Sequence, residues 1–221
     1  MKLQHITIYT NDILQTKDFY VNTLNFSIIQ ETENRITFKI GDSQLTFIHT
    51  SNDLEIYHYA FNIQPNHLNE AITWSEKRFK LLLSPTNNIV TNFEQWKAES
   101  IYFYDNNGNL LEFIAREDSP ILIDKSFSSA AILNISEFGV VSEKALDKAK
   151  ELITLHNLSL FDKAVASNQF LALGDDEGLL IFVEPNRAWY PTTAKAKKSQ
   201  AKITIVINNN EVNLQSTNLY K

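Results

Sequence analysis

Residues 3–9, LQHITIY, alternate apolar and polar positions with period two, the pattern of a half-buried strand. Thr10-Asn11-Asp12 follows with short polar side chains suited to capping a helix. The next stretch, ILQTKDFYVNTL, returns Ile13, Phe19, Tyr20 and Leu24 near helical spacing, and Asn25 ends it. Three short strands are predicted after that: FSIIQE, RITFKI and SQLTFIHT. They are separated at Glu33-Asn34 and Gly41-Asp42. The predicted order is β-α-β-β-β.

That order then begins again. IYHYAFNI at 56–63 alternates like the first strand, and HLNEAITWSEKR at 67–78 reads as a helix. A strand near KLLLS is expected next, and then ESIYFY and LLEFIA flank an Asn-Gly turn. Residues 1–116 therefore read as one unit written twice. A third start lies at AILNISEFGVV, followed by the helix SEKALDKAKELITL and a hairpin in NQFLALGDDEGLLIFVE. A fourth, AKITIVIN at 201–208, has only a short tail behind it. The expected organisation is a two-unit domain over 1–116, a linker over 117–130, and a degenerate half-domain over 131–221. The fold class is α+β, with paired βαβββ modules forming a curved mixed sheet around a cleft, a third degenerate module and a truncated fourth.

Composition narrows the function classes. The 221 residues carry 20 Lys and Arg against 26 Asp and Glu, a net charge of −6 that speaks against nucleic acid as a partner. The basic run AKAKKSQAK lacks interleaved aromatics and reads as a solvated loop. No apolar run is long enough to span a membrane, and MKLQHITIY has no signal-peptide core. The absence of cysteine removes disulfides, thiolate nucleophiles and Cys-type zinc sites, and makes a reducing cytoplasm the expected location.

Aligning the units strand by strand sets His5 against His58, and Thr46 against Glu112. Parity then assigns Ile6, Ile8, Leu45, Phe47, Tyr59, Phe61, Leu111 and Phe113 to the face under the helices. The opposite face carries His5, Thr7, Tyr9, Thr46, His58, Asn62, Tyr102, Tyr104 and Glu112. Glu112 is a lone carboxylate inside the apolar strand LLEFIA. Such a group is seldom buried without a partner.

The stretches HITIYTNDILQTKDFYVNTLNF, YHYAFNI and YFYDNNGNLLEFI resemble the vicinal oxygen chelate superfamily, which contains glyoxalase I, bleomycin-resistance proteins, fosfomycin-modifying transferases and extradiol dioxygenases. The resemblance covers 1–116 well and 131–185 weakly. It implies a cleft with up to four symmetric ligand positions, which fall here on His5, Thr46, His58 and Glu112. Threonine is a poor ligand, so the implied set is His5, His58 and Glu112. Two imidazoles and a carboxylate suit one divalent ion: iron, manganese, nickel or zinc.

The implied function is a metal-dependent enzyme acting on a small oxygen-chelating molecule, with Tyr102 and Glu112 as catalytic candidates. A non-catalytic protein that sequesters an aromatic or antibiotic ligand is the alternative, and a homodimer is compatible with either. The subtypes are not separated. Tyr102 matches the dioxygenase pattern, but NFEQWKAES before it holds no histidine and Asn106 stands where that pattern has proline. Asn109-Leu110 replaces the His-Lys of fosfomycin transferases, and Thr46 replaces a glyoxalase I carboxylate. The third and fourth units offer Glu137, Ile181 and Lys202 at the ligand positions, a set not expected to bind metal. Lys39, Gln44 and Arg116 could meet an anionic substrate, but they read as solvated strand ends, and His49, His67 and His156 as surface residues.

Overall fold

The computed structural model describes residues 1–53, 55–120 and 126–220. Residues 121–125 of the expected linker, and Lys221, lie outside them. The first unit comprises β1 (Lys2–Thr10), α1 (Ile13–Asp18), β2 (Ser27–Thr32), β3 (Arg35–Ile40) and β4 (Ser43–His49). The second comprises β5 (His58–Ile63), α2 (Leu68–Glu76), β6 (Thr91–Phe93), β7 (Ala98–Tyr104) and β8 (Leu110–Arg116). The third contains β9 (Ile132–Val141), α3 (Ala145–His156), β10 (Phe170–Asp175) and β11 (Gly178–Val183), and the fourth β12 (Lys202–Ile207) and β13 (Asn210–Gln215). The result is an α+β fold on an open, curved, mixed sheet.

Local signals explain most element ends. The Asp12 carboxylate accepts the Gln15 amide at 2.9 Å and starts α1, while Asn25 adopts a left-handed φ of 58° beyond its end. The predicted helix over 13–24 is not uniform: after Asp18 it widens into a π turn over Phe19–Thr23. Tyr20 in that turn is fully buried, stacked on Phe38 at 5.1 Å and tilted against Phe47 at 4.9 Å. KLLLS does not form a strand; the short edge strand is β6, eleven residues further on. His67 is buried rather than at the surface, because Phe127 packs edge-on 6.0 Å from its ring.

The eight residues assigned by parity to the helix side all fall in one buried apolar cluster. The pairing between units is less local. β5 pairs antiparallel with β9, and β9 pairs in parallel with β11. β1 pairs antiparallel with β12 and in parallel with β4. The second unit thus joins the third, and the first joins the fourth. β1 and β9 meet at Leu3 and Ile135, which leaves β9 lying between β1 and β5.

The Asp-x-x-Gly-Asn turn fastens these halves. Asp105 accepts the amides of Asn107 and Asn109 at 2.9 and 2.8 Å, and the Tyr20 hydroxyl at 2.9 Å. Asn107 accepts from Thr10 at 2.8 Å, and Asn109 accepts the Tyr57 amide at 2.8 Å. The motif is a buried clip between the first and second units.

Candidate metal centre

The sheet register builds a transverse row of side chains on the face away from the helices. Tyr102 on β7 pairs with Glu112 on β8, Glu112 with Ala60 on β5, Ala60 with Glu137 on β9, and Glu137 with Leu179 on β11. Ala60 is the small residue between two carboxylates. His58, two residues before Ala60, projects to the same face by strand alternation.

His58 Nδ1 lies 3.1 Å from the Leu110 carbonyl, which can only accept. The ring proton is thereby placed on Nδ1, and Nε2 is left with a lone pair 3.7 Å from Glu112 Oε2. One donor atom each from His58, Glu112 and Glu137 lie within 4.8 Å of one another, and all three residues are buried. An imidazole nitrogen and two carboxylate oxygens converging at that distance could hold a divalent cation.

The electrostatics of the bare site follow from burial. Glu112 is pushed up to about 8, first by desolvation and then by the Glu137 charge, against the Ser100 and Tyr102 hydroxyls and the Arg116 charge. Burial also raises Glu137, opposed by Arg116. His58 is lowered to about 4 by burial against its Leu110 bond, with the Arg187 charge adding to the fall. Tyr102 is held well above the ordinary phenol range by burial and by Glu112, so it keeps its proton and donates to that carboxylate.

Arg116 is no solvated strand end. At 2% exposure it donates from Nη2 to Glu137 Oε1 at 2.5 Å and to Ser136 at 3.1 Å, and from Nε to Asn62 at 3.2 Å. Asp176 is a more distant partner at 3.5 Å. Asp176 also pairs with Lys163 at 2.5 Å, so the acidic 175–177 turn is partly neutralised.

The three candidate ligands line a cavity of about 290 Å³ whose other walls are largely aromatic, from Phe93, Trp96, Phe170, Trp189 and Tyr190. A larger cavity of about 580 Å³ lies beyond Arg116, beside Asp175–Glu177, and contains none of the three. The smaller one holds the candidate ligands. Its roof is a strap fixed by backbone bonds from Asn186 to Ala196, Ala196 to Arg187 and Trp189 to Ala194, each 2.8–2.9 Å. The Trp189 ring sits 4.9 Å from His58. Gly139 on β9 permits this, since a Cβ there would lie 2.6 Å from the indole.

His5 is not brought to this group. Its Nε2 bonds Thr46 at 2.7 Å, and Thr46 bonds Thr37 at 2.7 Å. The physical reason is the pairing: β9 separates β1 from β5, so the residue facing His58 and Glu112 comes from the third unit. Glu137, the positional counterpart of His5, joins the group instead and was not expected there. It carried a signal, being a lone carboxylate in the apolar run ILNISEFGVV, as Glu112 is in LLEFIA.

The family model for the Glyoxalase/Bleomycin resistance protein/Dioxygenase superfamily matches residues 2–113. The chain belongs to this superfamily. Among solved structures of the superfamily's fold, a Bacillus subtilis protein provisionally assigned as a dioxygenase aligns with a TM-score of 0.60 and 18% identity, covering 83% of this chain. The chain spans 63% of the length of that protein. A glyoxalase/bleomycin resistance protein/dioxygenase from Alicyclobacillus acidocaldarius is 20% identical, with a TM-score of 0.43, over 53% of this chain and 92% of its own. A fosfomycin resistance protein from Listeria monocytogenes, solved with Mn(II) and sulfate, is 22% identical, with a TM-score of 0.42, over 52% of this chain and 89% of its own. No curated protein sequence gives a significant match. No helix among the described residues is long and apolar enough to cross a membrane.

Proposed function

We propose that this chain is a metal-dependent enzyme in which His58, Glu112 and Glu137 hold one divalent ion, of iron, manganese, nickel or zinc, against a small molecule that chelates through two oxygens. The observation that carries this reading is the buried convergence of one neutral imidazole and two carboxylates on a single cavity. The ion, when bound, would supply Lewis acidity toward those oxygens.

The chain's own groups have defined parts. The Leu110 carbonyl fixes the His58 tautomer, so Nε2 faces the site with its lone pair. Arg116 holds Glu137 through Oε1 and offsets its charge. Tyr102 donates to Glu112 and orients it, and the raised affinity of Glu112 for a proton lets its carboxyl keep or release one near neutral pH. The strap through Trp189 and Tyr190 covers part of the cavity, with Trp189 against His58 and the Tyr190 hydroxyl bonded to Thr91.

The aromatic walls favour one second reading, a protein that sequesters a planar ligand without turnover. Anaerobic loading of metal-free protein with Fe(II), Mn(II), Ni(II) or Zn(II), followed by desalting and elemental analysis, separates the two. Retention of about one ion per chain supports the enzyme, and retention of none with any of the four sinks it.

A further inference from the structure

The cavity contains a cation that the metal centre does not use. Arg187 sits in the strap and lines the same space as His58 and Glu112. Its guanidinium lies 4.9 Å from the centroid of the Phe170 ring, and its Nη1 reaches only the neighbouring Ala188 carbonyl, at 3.5 Å. Among the described residues no carboxylate lies within ion-pair distance of it, in contrast to Arg116, Lys163 and Lys198, which are all paired. The residue is half-buried and loses hydration there. Its backbone is held on both sides, by bonds to Glu184 and Ala196, so the guanidinium is anchored at the cavity wall. A partly desolvated guanidinium without an anion is a binding element, because its planar fork matches a carboxylate with two parallel hydrogen bonds.

We propose that Arg187 is a specificity-determining residue and that the cavity takes a small aromatic monocarboxylate, its carboxylate on Arg187 and its ring between the aromatic walls. Three observations select this class. Among the described residues Arg187 is the only Arg or Lys in the lining, which suits a monoanion better than a dianionic phosphate. Phe93, Trp96 and Trp189 offer ring faces and edges to a planar body. The volume, about 290 Å³, lies at the lower end for ligand pockets and admits a single substituted ring. This deepens the proposed function, which places the chelating oxygens of the same molecule at His58, Glu112 and Glu137. The carboxylate contact itself requires no metal.

The test uses para-fluorobenzoate and its neutral isostere para-fluorobenzamide, titrated by fluorine-19 NMR into the metal-free full chain. Wild type, Arg187→Gln and Arg187→Lys are compared. Saturable benzoate binding should weaken by about 10-fold or more in Arg187→Gln, the loss of a charge-assisted pair, and recover in part in Arg187→Lys. Benzamide affinity should be the same in wild type and Arg187→Gln. The titration is made without metal, so it reads the Arg187 contact alone, and a failed metal reading and a failed carboxylate reading give different results. Absence of saturable benzoate binding to wild type, equal binding to Arg187→Gln, or a wild-type preference for the amide would each overturn the proposal.

Discussion

Glu112→Gln should stabilise the metal-free protein increasingly as pH rises from 6.5 to 8. The Glu112 carboxyl is raised from an ordinary 4.5 to about 8 because it is fully buried beside Glu137. A raised carboxyl contributes stability that is complete below 4.5 and is lost as pH rises toward 8, since the unfolded chain releases its proton first. His58 acts in the opposite sense. Lowered from 6.5 to about 4, it contributes stability present above 6.5 and lost as pH falls toward 4. The two slopes oppose each other below 6.5, and Glu112 acts alone of the pair above it. At about 1.4 kcal/mol per pH unit, the 1.5 units between 6.5 and 8 amount to roughly 2 kcal/mol. Urea unfolding of EDTA-treated wild type and Glu112→Gln at half-unit intervals measures this difference directly. Wild type should lose about 2 kcal/mol across the window relative to the variant. Parallel stability curves would refute the argument that Glu112 is a desolvated carboxyl.

Other substitutions separate the parts of the site. Glu137→Ala leaves the buried Arg116 with the longer Asp176 contact as its one ion pair, and should cost about 3–5 kcal/mol, a fall in Tm on the order of 10 °C; a loss under about 1 kcal/mol would contradict a buried ion pair. Gly139→Ala drives a methyl into the Trp189 indole and should cost about 1–3 kcal/mol with a red-shifted tryptophan emission. An unchanged spectrum and Tm would show that the strap does not rest on β9. Asp105→Ala strips an acceptor from two backbone amides and the Tyr20 hydroxyl, and chemical denaturation should register about 3 kcal/mol or more.

What the sequence made legible was governed by local period. The alternation in LQHITIY, the Asp12 cap and the 3.6-residue spacing in SEKALDKAKELITL each specify an element from neighbouring residues alone, and all three formed. Parity also carried the core, because side chains two apart on a strand share a face whatever the strand pairs with. His58, Glu112 and Tyr102 came together for that reason, all being in one unit. The partner of that unit was not legible. Whether β5 lies against β1 or β9 depends on contacts over about seventy residues, which no local pattern records, and the choice exchanges His5 for Glu137 as the third residue of the group. Arg116 was misread for a related reason: at the end of LLEFIAR it resembles a solvated terminus until Glu137 and Asn62 are placed beside it. KLLLS had the composition of a strand and does reach the edge of β7, where the Leu82 amide donates to the Tyr102 carbonyl at 2.8 Å, but that contact does not extend into a strand.

The most direct test of the central claim is metal content, measured by plasma emission spectrometry after loading and desalting protein that carries no polyhistidine tag. Wild type, His5→Ala and Glu137→Gln would be compared, the last chosen because glutamine retains an acceptor for Arg116. The account predicts about one ion per chain in wild type and in His5→Ala, and almost none in Glu137→Gln. Metal lost from His5→Ala and retained in Glu137→Gln would contradict it.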